Sequence, residues 1–202
     1  YDVFPVGEKK FVFLIGDATG HGVPAALMMA MAKALVFLCY ETQTETPQIM
    51  ERLNLIFLRL LKGKRRMTFF LGTLDTETHR ISYTNCGHPF PIVGSPDGRV
   101  QELTQINLPL GSRTKKPFQM SEIILQPGEF MVLFTDGIVE SANDRNEALG
   151  YDRFHQVIRE WSRSPLPEIR EALLGAMKEF IGPTPMADDV TLLLVKRLET
   201  GV

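Results

Sequence analysis

A series of short strand-like segments separated by turn residues is the feature that most constrains the fold of this chain. The segments are rich in β-branched and aromatic residues and span residues 67–74, 80–85, 91–94, 99–103, 121–125 and 129–135. Turn formers stand between them, as in the Ser-Pro-Asp-Gly run at residues 95–98. Consecutive strands joined by tight turns predict an antiparallel meander.

Helical periodicity appears on both sides of this β-rich region. We expect helices at residues 24–40, 46–62, 154–161 and 169–180. The first is apolar nearly all round, and Lys33 is its one charged residue. Such a helix must be covered on most sides, so we expect a buried helix rather than a membrane span.

Strands are also expected at both ends of the chain. Residues 3–6 and 11–15 indicate a hairpin, and the second segment is apolar enough to be covered on both faces. Near the other end, the leucine run within residues 190–195 indicates a central, doubly covered strand. This order of elements predicts an α+β fold, in which sheets have helices packed outside them.

Composition narrows the class of protein. The chain has 202 residues, 44% of them hydrophobic, which is ample for one domain with a sizeable core. The formal charge of −2 gives no bulk attraction to nucleic acid or to anionic membranes. Cys39 and Cys86 lack metal-ligand spacing, and no signal-peptide pattern opens the sequence. We therefore expect a cytoplasmic protein that binds neither partner.

Three acidic turns abut the most apolar strands. Asp17 follows an apolar run and lies in a segment with three glycines, residues 16–22. Asp136 precedes Gly137 after another apolar strand, and Asp188-Asp189 stands just before the last strand. One such turn alone is an ordinary Asx-type turn. Three predict carboxylates that converge on a cation, and oxygen ligands without a Cys or His cluster select Mg²⁺ or Mn²⁺.

The motifs containing these aspartates resemble, in order, those of the SpoIIE/RsbU-like branch of the PPM (protein phosphatase 2C) serine/threonine phosphatases. The matching runs are Asp-Ala-Thr-Gly-His-Gly at 17–22, Asn-Cys-Gly-His-Pro at 85–89, Leu-Pro-Leu-Gly at 108–111, Gln-Pro-Gly-Glu at 126–129, Thr-Asp-Gly-Ile-Val-Glu at 135–140 and Asp-Asp-Val-Thr at 188–191. The resemblance implies an α-β-β-α sandwich with two mostly antiparallel sheets flanked by helices. It also implies metal-dependent hydrolysis of phosphoserine or phosphothreonine on a protein.

Site roles are carried over by motif. The resemblance implies that Asp17 bridges two Mn²⁺ or Mg²⁺ ions and that the carbonyl of Ala18 binds one of them. Asp136 and Asp188 complete the protein ligands, with Asp189 as the alternative if the register of the last motif differs by one. His21 is a candidate to protonate the leaving serine oxygen. The resemblance does not secure that role, because the loop is longer here than in the broader PPM group.

One departure from the family concerns the beginning of the sequence. Members usually carry Gly-Asp a few residues before the first hairpin, and that aspartate contributes to the metal site. This sequence starts at Tyr1-Asp2. We therefore expect a fragment that lacks a ligand and part of the first strand, from the C-terminal catalytic part of a larger regulator.

The resemblance also implies partners in bacterial signal transduction, such as a stress response. The expected substrate is a phosphorylated, anti-anti-sigma-like regulatory protein, and the expected neighbour is an upstream sensory or receiver domain. A homodimer is possible through helix 24–40, if Met28, Met31, Leu35 or Leu38 is partly exposed. A non-catalytic partner-binding module of the same fold is the alternative function.

Two further sequence features have plain structural interpretations. The basic run at residues 62–66 could attract a phosphorylated partner, but a solvated loop is the preferred interpretation. For His88 we expect a structural hydrogen bond, and His79 and His155 are interpreted as surface residues.

Overall fold

The protein is described by a computed structural model that covers residues 1–42 and 44–199. It forms two compact units, the first made of Tyr1–His88 and Gln105–Ile124, the second of Pro89–Thr104 and the chain from Leu125 onward. The assignment of residues 1–202 to one phosphatase domain stays a prediction, and residues 43 and 200–202 of that range lie outside the described residues.

The chain contributes strands and helices to both units. In chain order the elements are β1 (Asp2–Val6), β2 (Lys10–Ala18), α1 (Val23–Glu41), α2 (Thr46–Leu61), β3 (Met67–Asp75), β4 (Arg80–Cys86), β5 (Ile92–Gly94), β6 (Val100–Glu102), β7 (Ser121–Ile124), β8 (Phe130–Phe134), α3 (Gly150–Glu160), α4 (Leu166–Ile181) and β9 (Leu192–Lys196). The predicted α+β class, with two antiparallel sheets and flanking helices, is confirmed.

The first unit is a sheet with strand order β1-β2-β3-β4-β7, antiparallel throughout. Helices α1 and α2 pack on one face, where Met28, Leu53 and Phe57 are fully buried. On the other face, the ring of Phe70 stacks on that of Tyr83 with centroids 5.4 Å apart. Residues 12–15 of β2 are all buried, so this part of the strand is covered on both faces, as predicted.

The second unit is a sheet with strand order β6-β5-β8-β9, also antiparallel. Helices α3 and α4 supply its apolar core together with β8, all five residues of which are buried. The rings of Phe134 and Phe154 lie 4.6 Å apart and join the strand to α3. This contact packs the end of β8, two residues before Asp136, against α3.

Two strand predictions were wrong. The strands from β3 to β8 do not form one meander, because β4 pairs with β7 while β5 pairs with β6 and β8 in another sheet. Strand β9 is not central: it pairs with β8 alone among the described strands, and its residues are only half-buried. Its leucines mark a face that packs on the helical core rather than a doubly covered position.

Helix α1 is also less covered than its composition predicts. One face is buried, but Leu27, Phe37 and Leu38 are 59%, 56% and 57% exposed. Among the described residues, Val23–Tyr40 is the helix long and apolar enough to cross a membrane by length and composition, with a mean hydropathy of 1.8 and 28% of it buried. The exposure of Leu38 meets the condition set for the homodimer hypothesis.

Each sheet also contains a glycine that accommodates an aromatic ring on the neighbouring strand. Gly72 lies opposite Phe13, and Gly94 lies opposite Phe130. A Cβ at Gly72 would come within 2.6 Å of the Phe13 ring, and one at Gly94 within 2.4 Å of the Phe130 ring. Both rings thus occupy space that only glycine leaves open.

We therefore predict that Gly72→Ala destabilises the fold. The new methyl group must displace a fully packed ring, which costs about 1–3 kcal/mol. Gly175→Ala is the matched control, because no atom lies within 4 Å of its added Cβ on the exposed side of α4, and alanine favours a helix over glycine by about 0.5–1 kcal/mol. Urea unfolding measures both variants, and equal stability of Gly72→Ala and the wild type would contradict this packing account.

Candidate metal centre

The first unit carries Asp17 at the end of a paired strand. Strand β2 continues to Ala18. Asp17 therefore lies within the strand, opposite Thr68 of β3, and not in the turn that was predicted. Its backbone N–H donates to Thr68 Oγ1 at 3.3 Å. Gly16 permits this close pairing, since a Cβ there would lie 2.6 Å from the carbonyl oxygen of Thr68. The Asp17 residue itself is exposed.

The loop after Asp17 is fixed by Thr19. The backbone N–H of Thr19 donates to the carbonyl of Arg66 at 3.0 Å, and the N–H of Arg66 donates to Thr19 Oγ1 at 3.1 Å. Arg65 adds a hydrogen bond from Nη1 to the carbonyl of Thr19 at 2.8 Å. Its guanidinium group covers Gly20 so closely that a Cβ there would lie 2.7 Å from Nη1. The preferred interpretation of residues 62–66 as a purely solvated loop is therefore wrong for Arg65.

His88 stabilises the same strand end through a contact with Thr68. It is buried, and its Nδ1 lies 3.0 Å from Thr68 Oγ1. Its backbone N–H donates to Asn85 Oδ1 at 2.9 Å, and Asn85 Nδ2 donates to its carbonyl at 2.9 Å. The predicted structural role of His88 is confirmed. Sequence analysis missed Thr68, whose only signal is its place on the strand that pairs with Asp17.

The second unit brings Asp136, Asp188 and Asp189 onto adjacent turns. Gly137 packs against the Asp188-Asp189 backbone, and a Cβ there would lie 2.5 Å from the carbonyl oxygen of Asp189. Thr135 joins the two turns: its Oγ1 donates to the carbonyl of Asp189 at 3.2 Å and accepts from the N–H of Thr191 at 2.9 Å. The second and third acidic turns therefore lie side by side.

The field around these turns is negative. Within the described residues, no Lys, Arg or His nitrogen lies within 4.0 Å of the carboxylates of Asp136, Asp188 or Asp189. Burial raises the pKa of the neighbouring Tyr151 hydroxyl, and the charges of Glu102, Asp136 and Glu140 raise it further. A cation bound at these turns would be attracted by the negative charge of the carboxylates.

The remaining predicted residues have simple placements. His21 is exposed between β2 and α1. His155 is not a surface residue as interpreted: its side chain is 21% exposed, and Nε2 lies 3.1 Å from Glu102 Oε1. Cys39 and Cys86 are buried free thiols, and burial raises the pKa of the Cys86 thiol.

The donor set fits a hard divalent cation. Each acidic turn offers carboxylate or carbonyl oxygens, the ligands that Mg²⁺ and Mn²⁺ prefer. Within neither unit do the described residues bring three Asp, Glu, His or Cys side chains together in a group that could hold a metal ion. Asp17, Ala18 and His21 belong to the first unit and the other aspartates to the second. Convergence of the two sets stays a prediction.

Solved structures with the same fold define the class. The SiaA-PP2C domain of Pseudomonas aeruginosa is 25% identical and superposes with a TM-score of 0.83, covering 96% of this chain and 78% of that one. The structure of RsbX in complex with magnesium is 21% identical with a TM-score of 0.68, covering 96% and 84% of the two chains. The class is that of PP2C-type phosphoprotein phosphatases.

Within that class, the chain belongs to the family described as Stage II sporulation protein E (SpoIIE), whose family model matches residues 7–198. The predicted SpoIIE/RsbU-like branch is thus confirmed. Phosphoserine phosphatase RsbU of Bacillus subtilis (strain 168) is 26% identical over 198 residues, which cover 98% of this chain. The chain spans 58% of the length of RsbU.

The hydroxyl of Thr135 joins the two acidic turns of the second unit, so its removal should loosen them. Thr135→Val removes both hydrogen bonds of the hydroxyl and leaves the amide of Thr191 without its acceptor, which costs about 1–3 kcal/mol. We expect faster hydrogen exchange at the Thr191 amide and a lower free energy of unfolding. Thr135→Ser keeps the hydroxyl and is the matched control. If the Val and Ser variants exchange at the same rate, Thr135 does not join the turns.

Proposed function

We propose that this chain is a metal-dependent phosphatase that hydrolyses phosphoserine on a phosphorylated regulatory protein. The observation that carries the proposal is the packing of the Asp136-Gly137 turn against Asp188-Asp189, without a cationic side chain among the described residues to neutralise the carboxylates. A purely structural turn has no need for so much uncompensated charge. Membership of the SpoIIE family and the name of the relative RsbU support the reaction.

The same residues are the proposed metal ligands. Asp17, the carbonyl of Ala18, Asp136 and Asp188 would hold two Mn²⁺ or Mg²⁺ ions, with Asp189 as the alternative to Asp188. When bound, such a pair lowers the pKa of a shared water and neutralises charge on the phosphoryl oxygens. Magnesium in the RsbX structure supports the choice of a hard divalent ion.

The protein's own contribution is to hold these ligands in place before the substrate arrives. Thr68 and Thr19 fix the backbone on both sides of Asp17 through hydrogen bonds. Thr135 does the same for the turn beside Asp136. Ligands that are already in position do not have to reorganise during the reaction. Such preorganisation accounts for much of the rate enhancement at sites of this kind. His21, exposed in the loop that follows β2, is the proposed donor of a proton to the leaving serine oxygen.

The biological setting is also a proposal. An anti-anti-sigma-like phosphoprotein is the proposed substrate, and a cytoplasmic regulator with an upstream sensory or receiver domain is the proposed whole protein. The exposed apolar side of α1, which includes Phe37 and Leu38, supports a contact with a second copy or with that upstream domain.

We predict that Asp136→Asn abolishes manganese-dependent hydrolysis of p-nitrophenyl phosphate. The loss should exceed about a hundredfold, since even residues that only orient metal ligands cost about 10- to 100-fold. The metal-free variant should be at least as stable as the wild type, because one repelling charge is gone. Turnover is measured with this chain and with a longer chain extended upstream of Tyr1.

Asp97→Asn is the matched control for this experiment. Asp97 also lies in a turn of the second unit, but it pairs with Arg99 at 2.6 Å. This variant should keep its turnover. Wild-type activity of Asp136→Asn at saturating manganese would show that Asp136 is not a ligand, and an inactive wild type in both lengths would favour the non-catalytic module.

A further inference from the structure

A groove of about 890 Å³ in the first unit is outside the residues assigned above. Its walls are residues 106–109 and 113–119, and its floor includes the buried ring of Phe118. At one end Pro109 packs so closely on Gly87 that a Cβ there would lie 2.6 Å from the proline ring. We propose that this groove docks an acidic segment, with an apolar side chain, of the phosphorylated protein substrate. The inference rests on the proposed function and adds a docking site to it.

The groove is preformed by a set of side-chain hydrogen bonds between its walls. Asn107 Oδ1 accepts from the N–H of Gln119 at 2.8 Å, and Asn107 Nδ2 donates to the carbonyl of Gln119 at 3.2 Å. Gln105 Nε2 donates to the same carbonyl at 2.7 Å. A segment that binds here does not have to order the loop, so less binding free energy is lost.

The charge of the groove selects the partner. Arg113, Lys115 and Lys116 line the groove, and no Asp or Glu lines it within the described residues. None of the three has a carboxylate within 4.0 Å in the described part of the chain. The chain as a whole carries −2, so this positive cluster is a local feature. Complementary carboxylates would increase the rate and specificity of association.

Two exposed apolar side chains of the groove favour an apolar anchor in the docking segment. Ile106 and Leu108 are 66% and 51% exposed, although large apolar side chains gain free energy when they are covered. Apolar surface with a charged rim is typical of protein-binding sites. Carboxylates for the cations and one aliphatic side chain for these two residues together describe the docking segment.

The groove lies beside the Asp17 strand end. Leu110, which follows its first wall, exchanges two backbone hydrogen bonds with Met67, at 3.0 and 2.9 Å. Met67 is the cross-strand partner of Ala18. On the other side, Gly87 in the groove precedes His88, whose ring contacts Thr68 opposite Asp17. A segment docked here would bring its phosphoserine toward Asp17.

The test uses a labelled phosphoserine peptide with flanking glutamates and one leucine, and a second peptide with glutamines in place of the glutamates. Fluorescence anisotropy in metal-free buffer measures binding to the wild type and to a variant with Arg113, Lys115 and Lys116 all changed to serine. We expect the variant to bind the acidic peptide about tenfold more weakly, as three exposed ion pairs of modest strength allow. Both peptides contain the leucine, and Ile106→Ser should weaken the binding of each.

A matched control removes the same charge elsewhere. A variant with Arg145, Arg159 and Lys178 changed to serine loses three exposed cations of the second unit and should bind within about twofold of the wild type. Manganese-dependent turnover of p-nitrophenyl phosphate should be equal in the wild type and both triple variants, because this small substrate does not need the groove.

Three results would overturn the docking site. They are equal binding of the acidic peptide by both triple variants, equal binding of the glutamine peptide and the acidic peptide by the wild type, and equally tight binding of single-stranded DNA or phosphatidylserine vesicles. If the acidic peptide binds as expected but is never hydrolysed, even by a longer chain with manganese, the proposed function fails while the docking site is supported.

Discussion

Apolar packing along buried strands that end in carboxylates is the constraint on which the organisation of this protein depends. Strand β2 is covered on both faces before Asp17, and every residue of β8 is buried before Asp136. Apolar packing along both strands therefore supplies the free energy that keeps these charged ends in place. Under the proposed function, a divalent cation bound by these carboxylates would neutralise their charge.

Threonine hydroxyls fix the backbone next to the acidic residues. Thr68 and Thr19 hold the backbone around Asp17, and Thr135 ties the Asp136 turn to Asp189. Each hydroxyl satisfies backbone groups that a strand end leaves without a ladder partner. At the Asp136 turn this support comes from a neutral hydroxyl, whereas the loop after Asp17 is also held by the Arg65 guanidinium.

The sequence predicted the elements of the fold better than their arrangement. Helix starts were readable because Pro24 occupies a first-turn position, and strand segments were readable from their turn residues. The transfer of the chain to a second sheet after β4 was not predictable, since hydrophobic patterns do not encode which strands pair. The roles of Arg65 and Thr68 were missed for the same reason: both depend on tertiary contacts with the Asp17 loop.

The central claim is that the carboxylates of both units bind one pair of metal ions. A crystal structure of the manganese-bound protein, with the ions located by anomalous scattering, tests it most directly. The account predicts two manganese ions about 3.5–4 Å apart, with oxygen atoms of Asp17, Asp136 and either Asp188 or Asp189 at about 2.0–2.3 Å, within the range for a hard divalent ion. Ions coordinated by Asp136 and its neighbours while Asp17 contacts no metal would contradict it.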